Sequence, residues 1–320
     1  MLFINHDYSR QKEFSNKSVF QNIDHDDSAF FYIKVKEEEK GDLGATGSLN
    51  LFDIKVNKSY VIDKEISVTT TKAFITTNGN IAVVTMNGIS ILNKSRKPIK
   101  KINFNPGDEV VGVDYFQQKE SIFFLLKNDK NNKIDLCQFM LKNYEVKKLK
   151  INFNIKIEDE EEPYFLKFHF TTNNKLLIEN TCNSVLSVDL YGEYNTHLLT
   201  FTNKPCSIGC DMQFNNDGII YSRYIDKNNS VYEVKQYSLS NGKVQKLIDG
   251  KSVNAESVLL AIYANPVIPH FVIGSSNKFY VYDYKSFKEL KIDKNSDIVF
   301  VAKNAVYYLN KQGNVNSVKF

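Results

Sequence analysis

Apolar residues recur along this chain with a period of two almost everywhere, and hardly ever with the 3.6 period of a helix. Ala29 to Val35 (AFFYIKV), Asn80 to Val84 (NIAVV), Ile122 to Leu126 (IFFLL), Ser230 to Tyr237 (SVYEVKQY) and Lys278 to Tyr284 (KFYVYDY) are short and rich in aromatic and β-branched residues. Each is bounded by Asn, Gly, Asp or Lys, so these stretches predict strands on a pleated, half-buried surface. A helical period can be laid over Asn254 to Ala264 (NAESVLLAIYA), but it has no companions, and the expected fold class is all-β.

The strands recur in groups. A small or Asn residue, an alternating strand, a polar turn and a second strand follow one another from Gly47, Gly88, Asn132, Asn183, Asn229 and Asn277. These starts lie roughly 40 to 50 residues apart, the repeat length of a four-stranded propeller blade. Blade one takes Ser18 to Ile23, Ala29 to Val35, Ser48 to Val56 and Ser59 to Ile66. The last blade retains three strands, Asp297 to Lys303, Ala305 to Leu309 and Asn314 to Phe320, and Leu2 to Asn5 is expected to supply its outer strand in a 3+1 closure.

In period and strand order the whole chain resembles the seven-bladed β-propeller superfamily, a WD-repeat-like architecture without the WD signature, since the sequence has no Trp. Six blades is the alternative count. The expectation is one propeller domain over residues 1–320, monomeric unless in a complex.

Charge and cysteine content narrow the function. Forty-one Lys+Arg against 37 Asp+Glu give a net charge of +4, and the arginines are Arg10, Arg96 and Arg223, so nucleic acid is not an expected partner. Cys137, Cys182, Cys206 and Cys210 are too sparse to staple the fold, which suits a reducing compartment. Without an apolar signal core near the start or a run long enough to span a bilayer, the expected location is cytoplasmic. It becomes periplasmic or lipid-anchored if Met1 replaces a cleaved signal.

No Gly-rich phosphate loop, nucleophile elbow, zincin string or EF-hand occurs. Cys206 and Cys210 lie four apart with no His nearby in sequence and read as structural thiols. No catalytic residue, cofactor or metal is therefore expected, and the chain is read as no enzyme.

What remains is a scaffold that binds another protein through its loop faces, a reading by analogy of fold. With the four strands of a propeller blade lettered a to d in chain order, the b-to-c loops and d-to-a links emerge at one end of the blades, and the a-to-b and c-to-d turns at the other. The first end receives Glu37, Glu38, Glu39 and Asp42, together with Glu158, Asp159, Glu160, Glu161 and Glu162, the candidate surface for a basic protein partner. The opposite end receives Lys94, Arg96, Lys97, Lys100 and Lys101, the alternative binding face. Two other functions fit the fold: an enzyme or small-ligand binder using the central channel, and a cell-envelope propeller assisting outer-membrane assembly.

Overall fold

The computed structural model describes residues 28–35, 45–68, 70–128, 130–131, 133–151, 166–171, 173–181, 184–190, 195–200, 212–215, 218–226, 231–249, 261–265, 268, 270–274, 278–293 and 296–320. They form seven antiparallel sheets, each a meander in which neighbours in sequence are neighbours in the sheet. Sheet one is β1 (Ala29–Val35), β2 (Thr46–Asp53) and β3 (Lys58–Ser67); sheet two is β4 (Thr71–Ile75), β5 (Ile81–Thr85), β6 (Gly88–Leu92) and β7 (Pro98–Asn103). Sheet three is β8 (Asp108–Phe116), β9 (Ser121–Asn128), β10 (Lys133–Met140) and β11 (Glu145–Lys148); sheet four is β12 (Phe168–Phe170), β13 (Lys175–Thr181), β14 (Ser184–Asp189) and β15 (Thr196–Thr200). Sheet five is β16 (Met212–Asn215), β17 (Gly218–Asp226), β18 (Val231–Ser238) and β19 (Val244–Asp249); sheet six is β20 (Ala261–Ala264), β21 (Phe271–Gly274), β22 (Phe279–Tyr282) and β23 (Phe287–Leu290). Sheet seven is β24 (Asp297–Val301), β25 (Ala305–Leu309) and β26 (Val315–Lys319). Among the described residues the one helical element is a 3-10 turn at Gln117–Lys119.

These are the seven blades of a β-propeller. The six repeats of the sequence are the last two strands of successive sheets, the hairpins β2–β3, β6–β7, β10–β11, β14–β15, β18–β19 and β22–β23. The stretch read as a possible helix ends in strand β20, while the expected strands Ser18 to Ile23 and Leu2 to Asn5 lie outside the described residues.

The chain divides into two compact units, one holding sheets one to four and the other sheets five to seven. In the first, each sheet buries a face on the next. Phe31, Ile33 and Leu49 of sheet one meet Ala73 and Ile81 of sheet two. Phe74, Val84 and Ile91 of sheet two meet Val113, Phe124 and Phe139 of sheet three. Phe116, Phe123 and Leu125 of sheet three meet Phe168, Phe170 and Leu176 of sheet four. In the second unit Ile220, Val234 and Ile248 of sheet five pack with Phe271, Ile273 and Tyr282 of sheet six.

This stacking explains why some strands are apolar throughout. The first six residues of β9 (SIFFLLKN) are all buried, because a second strand of a blade is covered on both faces. A fourth strand is covered least: every residue of β11 is exposed, as are five of the six in β7. Close packing also fixes glycines at strand starts. A Cβ on Gly88 would fall 2.3 Å from Ile102 O, and one on Gly218 would fall 2.0 Å from Tyr237 O, so neither position admits a side chain without moving backbone.

First strands converge. Leu166 N donates to Val111 O at 2.7 Å, laying the chain before β12 parallel to β8, and Lys72 Nζ of β4 donates to Val113 O of β8 at 3.1 Å. Sheets two, three and four thus meet along one inner edge.

Candidate partner-binding edge

The hairpin from Gly88 to Asn103 contains Lys94, Arg96, Lys97, Lys100 and Lys101 and no carboxylate. Its turn is built locally: Arg96 N donates to Asn93 O at 2.7 Å, Lys97 N donates to Asn93 Oδ1 at 2.9 Å, and Arg96 takes a left-handed φ of 63°. That backbone turns the Arg96 side chain toward sheet one, where its guanidinium lies 4.4 Å from the Tyr60 ring centroid. Lys58 Nζ lies 5.4 Å from the same ring. An exposed cation over an aromatic ring contributes about 0.5–1 kcal/mol, enough to orient the two side chains but too little to hold the blades together.

The same turn design recurs in the first unit. Asn57 (φ 52°) and Tyr144 (φ 59°) occupy the left-handed position in the β2–β3 and β10–β11 turns, which carry Lys55 and Lys142. Asp53 Oδ1 accepts the N–H groups of Lys55 and Val56 at 2.9 and 3.2 Å. In the second unit, Gly242 and Tyr284 hold the equivalent positions beside Lys243 and Lys285.

Sheet two shows how its turns sort. A Cβ on Gly79, in the β4–β5 turn, would fall 2.6 Å from Lys94 Cε, so the first and third turns of the blade share an end. At the other end, Phe104 N donates to Asn87 O at 3.0 Å and Val110 N to Met86 O at 2.9 Å, joining the second turn to the link into sheet three. The five basic residues singled out in the sequence are all exposed: Lys94, Arg96 and Lys97 in the turn, Lys100 and Lys101 along β7. Ile99, between them, is 43% exposed. The acidic residues Glu37, Glu38, Glu39, Asp42 and Glu158 to Glu162 lie outside the described residues, as do Cys182, Cys206 and Cys210. Cys137 is buried in sheet three, and burial pushes its thiol up to about 12.

A second group of side chains was missed by sequence reasoning. Lys72, Asp114 and His169 occupy the first strands of three successive blades, with Lys167 beside β12 and Glu179 on β13. His169 Nδ1 faces Asp114 Oδ2 across 3.9 Å. Burial raises the Asp114 carboxyl to about 6, against the opposing pull of the Lys72 charge and the Tyr115 and Phe170 N–H groups. Burial also holds Lys72 below the usual lysine range, with Asp114 and Glu179 pulling it up and Lys167 pushing it further down. The available signal was a titratable residue flanked on both sides by residues that the fold buries: Thr71-Lys72-Ala73, Val113-Asp114-Tyr115 and Phe168-His169-Phe170.

Among the described residues no helix is long and apolar enough to cross a membrane. No protein-family model matches the sequence, and no curated protein does. Solved structures do match. The chain is similar to an oligogalacturonate lyase from Vibrio parahaemolyticus, at 8% identity and a TM-score of 0.57, over 95% of this chain and 88% of that one. An oligogalacturonate lyase in complex with manganese gives 8% identity and a TM-score of 0.60, over 94% and 88%. A chain of the mitotic checkpoint complex gives 8% identity and a TM-score of 0.56, over 96% and 90%.

These likenesses overturn one expectation, that the chain is no enzyme. It rested on the lack of a contiguous catalytic motif, yet the same architecture is that of a lyase over nearly the full length. The physical reason is that a propeller gathers side chains from separate blades, as Lys72, Asp114 and His169 are gathered here, so chemistry on this fold needs no local motif. What the likenesses establish for this chain is the fold: a seven-bladed β-propeller.

Proposed function

We propose that this propeller binds a protein partner through the hairpin edge of sheets one and two, and that the partner presents an acidic surface there. The observation that carries this reading is Arg96 over Tyr60: it links the β6–β7 turn to β3 of the neighbouring blade, where Lys58 lies over the same ring, and Lys94, Lys97, Lys100 and Lys101 are exposed on the same hairpin as Arg96. Aromatic and Arg side chains are the usual anchors of interfaces, and a run of like charges steers encounter with an oppositely charged face. The mitotic checkpoint complex shows a propeller of this kind in a protein assembly, which supports the reading by analogy of fold alone.

The test is a quantitative pull-down from lysate of the native host, comparing wild type with Arg96→Glu/Lys97→Glu/Lys100→Glu. The proposal expects specific proteins of acidic surface to be recovered by wild type, lost with the triple variant, and recovered less as salt rises. An identical set of proteins for both baits contradicts it.

A further inference from the structure

We propose that the converging first strands of sheets two, three and four form a binding site for a small organic carboxylate, with the Lys72 ammonium as its cationic contact. The site shares no residue with the hairpin edge and stands or falls independently of partner binding there.

The first observation is a cation with donors to spare. An ammonium carries three N–H donors. Lys72 Nζ gives one to Val113 O at 3.1 Å and, among the described residues, has no carboxylate in ion-pair contact; Asp114 and Glu179 act on it only through their field. The second is that the chain itself occupies these two carboxylates. Asp114 accepts the N–H of Tyr115 at 2.9 Å and that of Phe170, and Glu179 Oε2 accepts the N–H of Lys167 at 2.9 Å. A ligand anion therefore finds an ammonium whose nearest acids are already engaged by backbone.

Access and charge balance select the ligand class. Lys72 is partly exposed, and the side chains of Asp114 and His169 keep 18% and 12% of their surface, so the group is sheltered without being sealed. Among the described residues, Lys72 and Lys167 balance Asp114 and Glu179. One added negative charge is offset by a single proton on the Asp114–His169 pair, whereas the second charge of a dianion such as sulfate is left uncompensated in a poorly solvated place. The ligand is therefore a monoanion.

Binding is accordingly coupled to protons. The charged and titratable groups that face Asp114 are Lys72 on β4 and His169 on β12, while Glu179 on β13 and Lys167 beside β12 act on Lys72. An anion arriving among them favours protonation of the Asp114–His169 pair, and the Asp114 carboxyl already sits at about 6. Affinity rises as pH falls from 7 toward 6.

Titration calorimetry of the full chain with acetate at pH 6, in two buffers of different ionisation heat, reads affinity and proton uptake together. The expected result is saturable binding with a Kd on the order of 1 mM and net uptake of protons. Lys72→Met weakens it about tenfold or more, Lys72→Arg retains it, and sulfate, a dianion at this pH, binds more weakly than acetate. Asp114→Asn still binds acetate but loses most of the proton uptake, which keeps the proposal testable even where Lys72→Met does not fold. Absence of saturable acetate binding to wild type, equal affinity in a folded Lys72→Met, tighter binding of sulfate, or unchanged proton uptake in Asp114→Asn overturns it.

Discussion

The Arg96 guanidinium lies 4.4 Å from the centroid of the Tyr60 ring, across the boundary between sheets one and two. Thirty-five residues of sequence lie between the two, including the whole of β4, β5 and β6. What brings them together is the left-handed residue in the β6–β7 turn, Arg96 itself at a φ of 63°. Gly or Asn is the usual choice at such a position, and Arg is strained there at a cost of roughly 1 kcal/mol. The left-handed position recurs at Asn57, Tyr144 and Tyr284 in the equivalent turns and so belongs to the blade hairpin; what is particular to Arg96 is the ring on the next blade that its side chain meets.

That hairpin depends on Gly88. Its third strand begins where a Cβ would fall 2.3 Å from Ile102 O, so Gly88→Ala pushes β6 and β7 apart. We expect a loss of roughly 1–3 kcal/mol in chemical denaturation, with the binding edge disturbed as well. A variant as stable as wild type would mean that the hairpin relaxes freely.

Blade stacking is expected to dominate stability. Phe116 of β8 and Phe170 of β12 stack with centroids 4.7 Å apart, at the contact between sheets three and four. Phe170→Ala should cost about 3–5 kcal/mol by the loss of transfer energy and the cavity it leaves. Tyr60→Ala, at the half-exposed edge, should cost less than about 1 kcal/mol beyond its area. Denaturation midpoints of the two variants compare the effects directly.

Asp114 gives a pH signature. Its carboxyl rises from an ordinary 3.8 to about 6 in the folded protein, chiefly by burial. The native state therefore binds the proton more tightly than the unfolded chain, and this group's contribution to stability is full below pH 3.8 and lost as pH rises through about 6. Asp114→Asn removes that dependence: the difference in unfolding free energy between wild type and variant should change by at most about 3 kcal/mol between pH 4 and 7, in the direction that disfavours wild type at the higher pH. A constant difference across that range would show that the carboxyl titrates normally.

Cys137 is completely buried, and its thiol is pushed up to about 12. Iodoacetamide at pH 8 should leave it unmodified in the native protein and alkylate it in denaturant, as read by mass spectrometry of its peptide. Rapid native alkylation would place the side chain at the surface.

The strand pattern was legible because each blade repeats one physical problem. β1 (Ala29–Val35) and β25 (Ala305–Leu309) have the bounds the sequence predicts, since apolar runs there end at turn-forming residues. The six Gly or Asn starts mark the strand before the last in each of the first six sheets, because the turn that leads into it takes small or turn-forming residues, as at Met86-Asn87-Gly88. Lys94 to Lys101 was visible as a charge run, and its placement followed from strand order. Tyr60 was not singled out, because an aromatic residue in an outer strand looks like any other half-buried ring. Lys72, Asp114 and His169 were hidden for a different reason: each is one polar residue in an alternating strand, where solvent exposure is the ordinary explanation. Only the meeting of three first strands turns them into a group, and pairing between blades leaves no periodic trace.

Recognition of acidic surfaces by the basic hairpin edge is read by fluorescence anisotropy of labelled poly-L-glutamate titrated with the full chain, with wild type, Arg96→Glu/Lys97→Glu/Lys100→Glu, and Lys243→Glu/Lys285→Glu/Lys288→Glu as a control of equal charge change in the second unit. We expect binding by wild type that weakens as salt rises, a loss of about tenfold or more in the hairpin variant, and affinity close to wild type in the control. Equal weakening in both variants would mean that net charge alone attracts the polymer, and unchanged binding in the hairpin variant would place recognition elsewhere on the molecule.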